Sequence, residues 1–235
     1  MVSYWSSALV PQSVMFRLKP MNTRGPMTFS GKSQVVGTDA GFWVATLSNF
    51  IVRTPEQIRE WRGLIADLQG GLNDLVIGPF DCRQAPRVDR RPAMIGGITH
   101  SDGSLFSDKS GYRQSTIKVT VGADAGARST RLRLDIQEAG KLERGMYFTI
   151  WSLVAGAMVP RMYMLTKTPE FGGASASIQF LPPLRVAVQQ GDEVDFADPK
   201  LTMNLANDDA GELDIRLRRF SSPSLELQES WNGLS

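Results

Sequence analysis

The sequence predicts a mainly β protein: a β-sandwich or barrel domain, discontinuous in sequence and carrying one α-helix, with a small β-barrel domain inserted into it. Three observations point there. From Ser115 onward the chain breaks into short runs rich in β-branched and aromatic residues, most of them separated by glycine-containing turns. One stretch, residues 54 to 69, places apolar residues at strong helical spacing. After Pro199 two more alternating runs, KLTMNLAND and ELDIRLRRF, need partners once the small barrel has closed. The expected division is residues 1–82 plus 199–235 as one domain, 83–115 as a linker and 116–198 as the inserted domain.

The first strong strand signal is GFWVATLSNFIV, residues 41 to 52. Phe42, Val44, Thr46, Ser48, Phe50 and Val52 share one face; Trp43, Ala45, Leu47, Asn49 and Ile51 share the other. Both faces carry apolar groups, so a strand covered on both sides is expected. The Gly-Asp turn before it suggests a hairpin between residues 28–36 and 41–52. The helix follows. Thr54 is a good N-cap, Pro55 suits the first helical position, and Gln57 completes a capping box. Ile58, Trp61, Leu64, Ile65 and Leu68 form its apolar face, and Gly70-Gly71 ends it. NDLVIGPF reads as a short strand.

Residues 81 to 115, full of Gly, Ser, Asp, Arg and Pro, read as an extended loop. STIKVTVGA, TRLRLDI, GMYFTIW, RMYMLTK, ASIQFLP and DEVDFAD are six short strands that suggest a small barrel or sandwich; the inserted domain is expected to be OB-like or galectin-like. Pro182-Pro183 cannot continue a central strand, so LPPLR is a corner, and Gly191-Asp192 makes the next turn. The tail after Phe220 is polar with scattered apolar residues and reads as partly mobile.

Composition narrows the function classes. A chain of 235 residues, 42% hydrophobic and 21% charged, is ordinary for a globular protein and needs no staples to hold a core. Twenty-six basic and 24 acidic residues leave a formal net charge of +2, which gives no overall drive toward nucleic acid or an anionic membrane. The single cysteine, Cys82, excludes an intrachain disulfide. The single histidine, His100, excludes a multi-histidine zinc site and reads as a solvated loop residue. MVSYWSSALVPQ has no basic start and no long apolar core, so no signal peptide is expected. No apolar run approaches the roughly 18 residues of a membrane span.

Motif chemistry is thin. GPMTFSGKS, residues 25 to 33, evokes a phosphate-binding loop, but Pro26 stands where the first glycine belongs and turn and strand follow Lys32 instead of a helix. Asp192-Glu193 and Asp208-Asp209 are neighbours in turns, and adjacent residues of an extended chain point apart. No G-x-S-x-G elbow is present, and only His100 is available to activate a serine. Arg83, Arg87, Arg90 and Arg91 cluster around Asp89 and suit a partner's acidic face better than nucleic acid. Tyr147, Phe148, Trp151 and Tyr163 would suit an oligonucleotide-binding barrel, yet they sit in apolar strands where core packing explains them. No catalytic residue, metal site or cofactor is therefore expected.

The order of elements resembles distal tail proteins of tailed bacteriophages and of phage-derived gene transfer particles. The resemblance is carried by GFWVATLSNFIV, by TPEQIREWRGLIADLQGGLNDLVIGPFD, and by GMYFTIW with IQFLPPLRVAVQQGDEVDF. It spans residues 15 to 220. It implies a non-enzymatic virion protein of the tail tip or baseplate. Such a protein forms a ring, usually a hexamer of itself, between the tail tube protein and the tail-tip hub protein, around a channel for the tape measure protein and DNA. No membrane partner and no sequence-specific nucleic acid are implied, and assembly takes place in the host bacterial cytoplasm. The alternative reading is a carbohydrate-binding module of a tail, for which Trp43, Trp151 or Trp231 would have to be exposed as stacking platforms.

Overall fold

In a computed structural model the described residues are all except 1, 28, 30, 32, 82, 89–90, 100–103, 108–110, 155, 208–210, 212, 214–220 and 232–235. The chain divides into two compact units, Met1–Phe80 with Leu201–Ser235, and Asp81–Lys200. The first begins with β1 (Val2–Tyr4), β2 (Ser13–Arg24), β3 (Val35–Ser48), α1 (Pro55–Leu68) and β4 (Asp74–Ile77). The second contains β5 (Met94–Ile98), β6 (Tyr112–Ser115), β7 (Lys118–Val121), β8 (Arg131–Glu138), β9 (Tyr147–Val154), β10 (Ala157–Leu165), β11 (Glu170–Gly172), β12 (Ser175–Leu181) and β13 (Val194–Asp195). The chain then returns to the first unit through β14 (Leu201–Leu205) and β15 (Leu225–Glu229). The protein is mainly β, as its short alternating runs predict.

The first unit is a six-stranded sheet in the order β1-β4-β14-β15-β3-β2. Among the described residues only the β1–β4 pair of this sheet is parallel. Trp43, Ala45 and Leu47 on β3 share the buried face with Leu225 and Leu227 on β15 and Leu75 and Ile77 on β4. The strand is therefore one-sided: Phe42, Val44, Thr46 and Ser48 are only half-buried, which corrects the expectation of cover on both faces. Asn49 explains why both sets of residues look apolar. Its φ of 58° breaks the alternation, and Phe50 and Val52 then turn into the core.

The helix forms where its local signals place it. The Thr54 hydroxyl accepts the Gln57 N–H at 3.2 Å, and the Gln57 side chain accepts the Thr54 N–H at 3.2 Å. Gln69 in the left-handed region (φ 45°), followed by Gly70 (φ 63°), stops it. Trp61, Leu64 and Leu68 are buried, whereas Ile58 and Ile65 are partly covered. The Trp61 ring lies 4.8 Å from Phe50, and its indole N–H donates to the Gly211 carbonyl at 2.9 Å.

The first hairpin is longer and earlier than expected: β2, not residues 28–36, pairs with β3. The tail is also different. β15 lies in the middle of the sheet, with Leu225 and Leu227 fully buried, so 225–229 is a core strand rather than a mobile end. KLTMNLAND gives β14 as expected; ELDIRLRRF falls largely outside the described residues.

The second unit holds a barrel in the order β13-β9-β10-β12-β8-β7, with β11 appended to β12. All its pairs are antiparallel. Thr120 bridges Glu193, Val121 N–H donates to Asp192 O, and Gly191 N–H donates to Val121 O, so β7 and β13 close the ring. Phe148 fills the interior, with Tyr163, Phe180 and Phe196 at ring distances of 5.5, 5.5 and 5.3 Å. The LPPLR corner ends β12, and Pro182, Pro183 and Leu184 are buried. Residues 81–115 are more ordered than an extended loop. β5 and β6 form a two-stranded hairpin, and Ala85 and Ala93 join the barrel core. Gly140 N–H donates to Pro86 O at 2.9 Å, an approach so close that a Cβ at residue 140 would run into the Arg87 carbonyl.

Candidate interaction surface

The first unit leaves a long arm uncovered. Near its base the β2–β3 hairpin is half-buried, with Val14, Phe16 and Leu18 toward the core side. A register shift between Lys19 and Met21 lets Pro20 sit within the strand. Beyond it, Met21 to Arg24 pair with Val35 to Thr38, and Gly25 N–H donates to Gln34 O at 2.8 Å. There the ribbon is exposed on both faces: Met21 is 51% and Val36 56% exposed on one, and Val35 49% on the other. An isolated two-stranded ribbon is marginal in water, and apolar side chains on both its faces gain nothing from remaining there. The strand is also basic, carrying Arg17, Lys19 and Arg24 and no acid. β1 and β2 are the outer strands of the sheet, and among the described residues neither outer edge is paired. A second exposed hairpin, β5–β6, shows Ile95 and Tyr112, with Phe106 set edge-on to Tyr112 at 4.8 Å.

The residues singled out from sequence come together less. Cys82, Asp89, Arg90, His100, Asp208, Asp209 and Lys32 lie outside the described residues. Arg91 pairs with Glu138 at 3.3 Å, both well exposed, an ion pair worth about 0–1 kcal/mol; Arg83 and Arg87 are exposed. After the GPMTFSGKS segment the chain enters β3, so no helix is there to receive a phosphate. Asp192 closes a turn by accepting the Gln189 N–H at 2.8 Å, and the neighbouring Glu193 is exposed. Phe148 and Tyr163 belong to the barrel core, whereas Tyr147 and Trp151 are half-buried at its surface.

Of the tryptophans named for stacking, Trp43 is interior at 1% exposure, Trp151 is half-buried and Trp231 is 45% exposed. Among the described residues two charged groups are buried: Arg161 on β10, and Glu229 on β15, whose carboxylate accepts the Trp43 N–H at 3.1 Å. Burial pushes the Asp195 carboxyl above its ordinary range, against the pull of N–H bonds from Ala197 and Asp198. Burial also raises the Tyr147 phenol, and the Asp81 carboxylate reinforces the shift. Among the described residues no group of three or more His, Cys, Asp and Glu is placed to hold a metal. No helix among them is long and apolar enough to cross a membrane.

The arm had a signal in the sequence, the alternation of Val14, Phe16 and Leu18. Its exposure had none, because exposure reflects the lack of a covering element. Compared with known proteins, the chain matches no family model and no curated protein.

Proposed function

We propose that this protein is a building block rather than an enzyme: a distal tail protein whose copies form a ring joining a phage tail tube to the tail-tip hub. The observation that carries the reading is the β2–β3 arm, apolar on both exposed faces beyond its bulge and basic along β2. A ring needs contacts between different faces of each subunit, closed by rotation. An exposed arm and a sheet whose two edges are unpaired among the described residues provide such differing faces. The resemblance to distal tail proteins supplies the assembly and its place, a virion tail tip put together in a bacterial cytoplasm. Permanent ring contacts bury more than about 2,000 Å² and are enriched in apolar groups, which is the company Met21, Met27, Val35 and Val36 require.

The test is to image purified particles and to weigh the purified chain. Several copies around the tail axis, touching tube and hub, are expected. A single copy per particle, or a chain absent from particles and monomeric at every concentration, would end the reading.

A further inference from the structure

The outer wall of the barrel carries a polar groove. β8 and β12 pair with Arg131 opposite Gln179 and Arg133 opposite Ser177. Their alternate residues Leu132, Leu134, Ala176 and Ile178 are buried, so the pleat turns the polar set outward. The connection from β10 to β11 runs beside this wall, held by Thr166 N–H donating to Gln179 O at 2.9 Å and by Glu170 pairing with Ser177. The groove between them has a volume of about 330 Å³ and is lined by Arg131, Lys167, Thr168, Glu170, Ser177 and Gln179. Among the described residues none of these six side chains has a hydrogen-bond or ion-pair partner. Two cations and a carboxylate thus share one groove without neutralising each other.

We propose that this groove binds an acidic saccharide, a sugar chain bearing carboxylate or phosphate groups. The planar guanidinium of Arg131 can take either anion through two parallel N–H bonds, and the Lys167 ammonium adds a point charge. Glu170 accepts from sugar hydroxyls, Gln179 both donates and accepts, and the hydroxyls of Ser177 and Thr168 do the same. Among the described residues no aromatic ring lines the groove, so affinity depends on the anionic group rather than on stacking, and it weakens with salt. The groove belongs to the barrel alone and does not depend on whether copies of the chain form a ring.

Calorimetry on the full chain with trigalacturonate, a phosphorylated mannose oligomer and neutral maltotriose tests the proposal. Saturable binding of at least one acidic probe is expected, and the one that binds identifies the anion. Arg131→Gln and Lys167→Gln should each weaken it about tenfold, roughly 1.4 kcal/mol, with thermal unfolding unchanged. Lys141→Gln, which alters an exposed lysine paired with Glu143 at 2.8 Å, should bind like the parent. Failure of both acidic probes to saturate, equal binding of maltotriose, or unchanged binding by both groove variants would overturn it.

Discussion

The barrel of 81–200 and the sheet of the first unit are built from the same kind of strand, yet they end differently. In the barrel the Gly191-Asp192 turn brings β13 to β7, and two backbone hydrogen bonds of 2.8 Å close the seam. Its strands then satisfy one another, and its apolar side chains have an interior to fill. In the first unit β1 and β2 stand at opposite ends of an open sheet. The long hairpin continues past the core and carries methionines and valines into solvent. The barrel of one unit is closed by its own strands, whereas among the described residues the sheet of the other keeps open edges and an exposed apolar hairpin.

The largest expected effect comes from removing the complete unit. Leu201 pairs with Ile77, so the chain leaves and re-enters the first unit at neighbouring points. A short Gly-Ser linker in place of 81–200 has little closure entropy to overcome. The shortened chain should unfold cooperatively in urea; a gradual, non-cooperative loss of signal would show that the open sheet depends on the barrel. Next in size are two core truncations. Phe148→Ala in the barrel and Trp61→Ala under the open sheet should each cost about 3–5 kcal/mol. Calorimetry should show each lowering a different transition, and equal movement of both transitions would break the comparison.

Smaller effects sharpen it. Thr54→Ala removes half of the capping box and should cost the first unit about 1 kcal/mol, read as a lower urea midpoint. Asp195 gives the barrel its own pH signature. Its folded carboxyl holds a proton to higher pH than the ordinary value near 3.8, so the native state binds more protons than the unfolded chain in that window. Barrel stability should therefore fall as pH rises from about 3.8 through the raised value, then level off. Asp195→Asn keeps an acceptor oxygen for the N–H groups of Ala197 and Asp198 and should remove that slope, as followed by melting temperature against pH.

What was legible in the sequence was what local chemistry decides. The helix announced itself through Thr54, Pro55 and Gln57 and through the spacing of Trp61, Leu64 and Leu68. The barrel strands showed their alternation between glycine turns. β15 escaped because its third inward residue is Glu229, so the apolar period is only two residues long, and the carboxylate is tolerated inside by accepting the Trp43 N–H. The far end of β2 was hidden by Pro20, which interrupts the alternation of Val14, Phe16 and Leu18 and which an edge strand admits at a bulge but a central strand does not. Cover on both sides of β3 was read from a pattern that Asn49 interrupts. The candidate surfaces were least legible. Nothing in Met21 or Val36 says that no element lies over them, and Arg131, Lys167 and Glu170 meet only because β8, β11 and β12 are neighbours.

The central claim, that the open unit is the one that assembles, is tested most directly by the native mass of the full chain beside that of Met21→Asp/Val36→Asp. Both substituted side chains are solvent-exposed, so folding stability should change by no more than about 0.5 kcal/mol per site. The account predicts a closed multimer for the parent and a folded monomer for the variant. A variant that assembles like the parent, or a parent that stays monomeric in solution and present as a single copy in the particle, would contradict it.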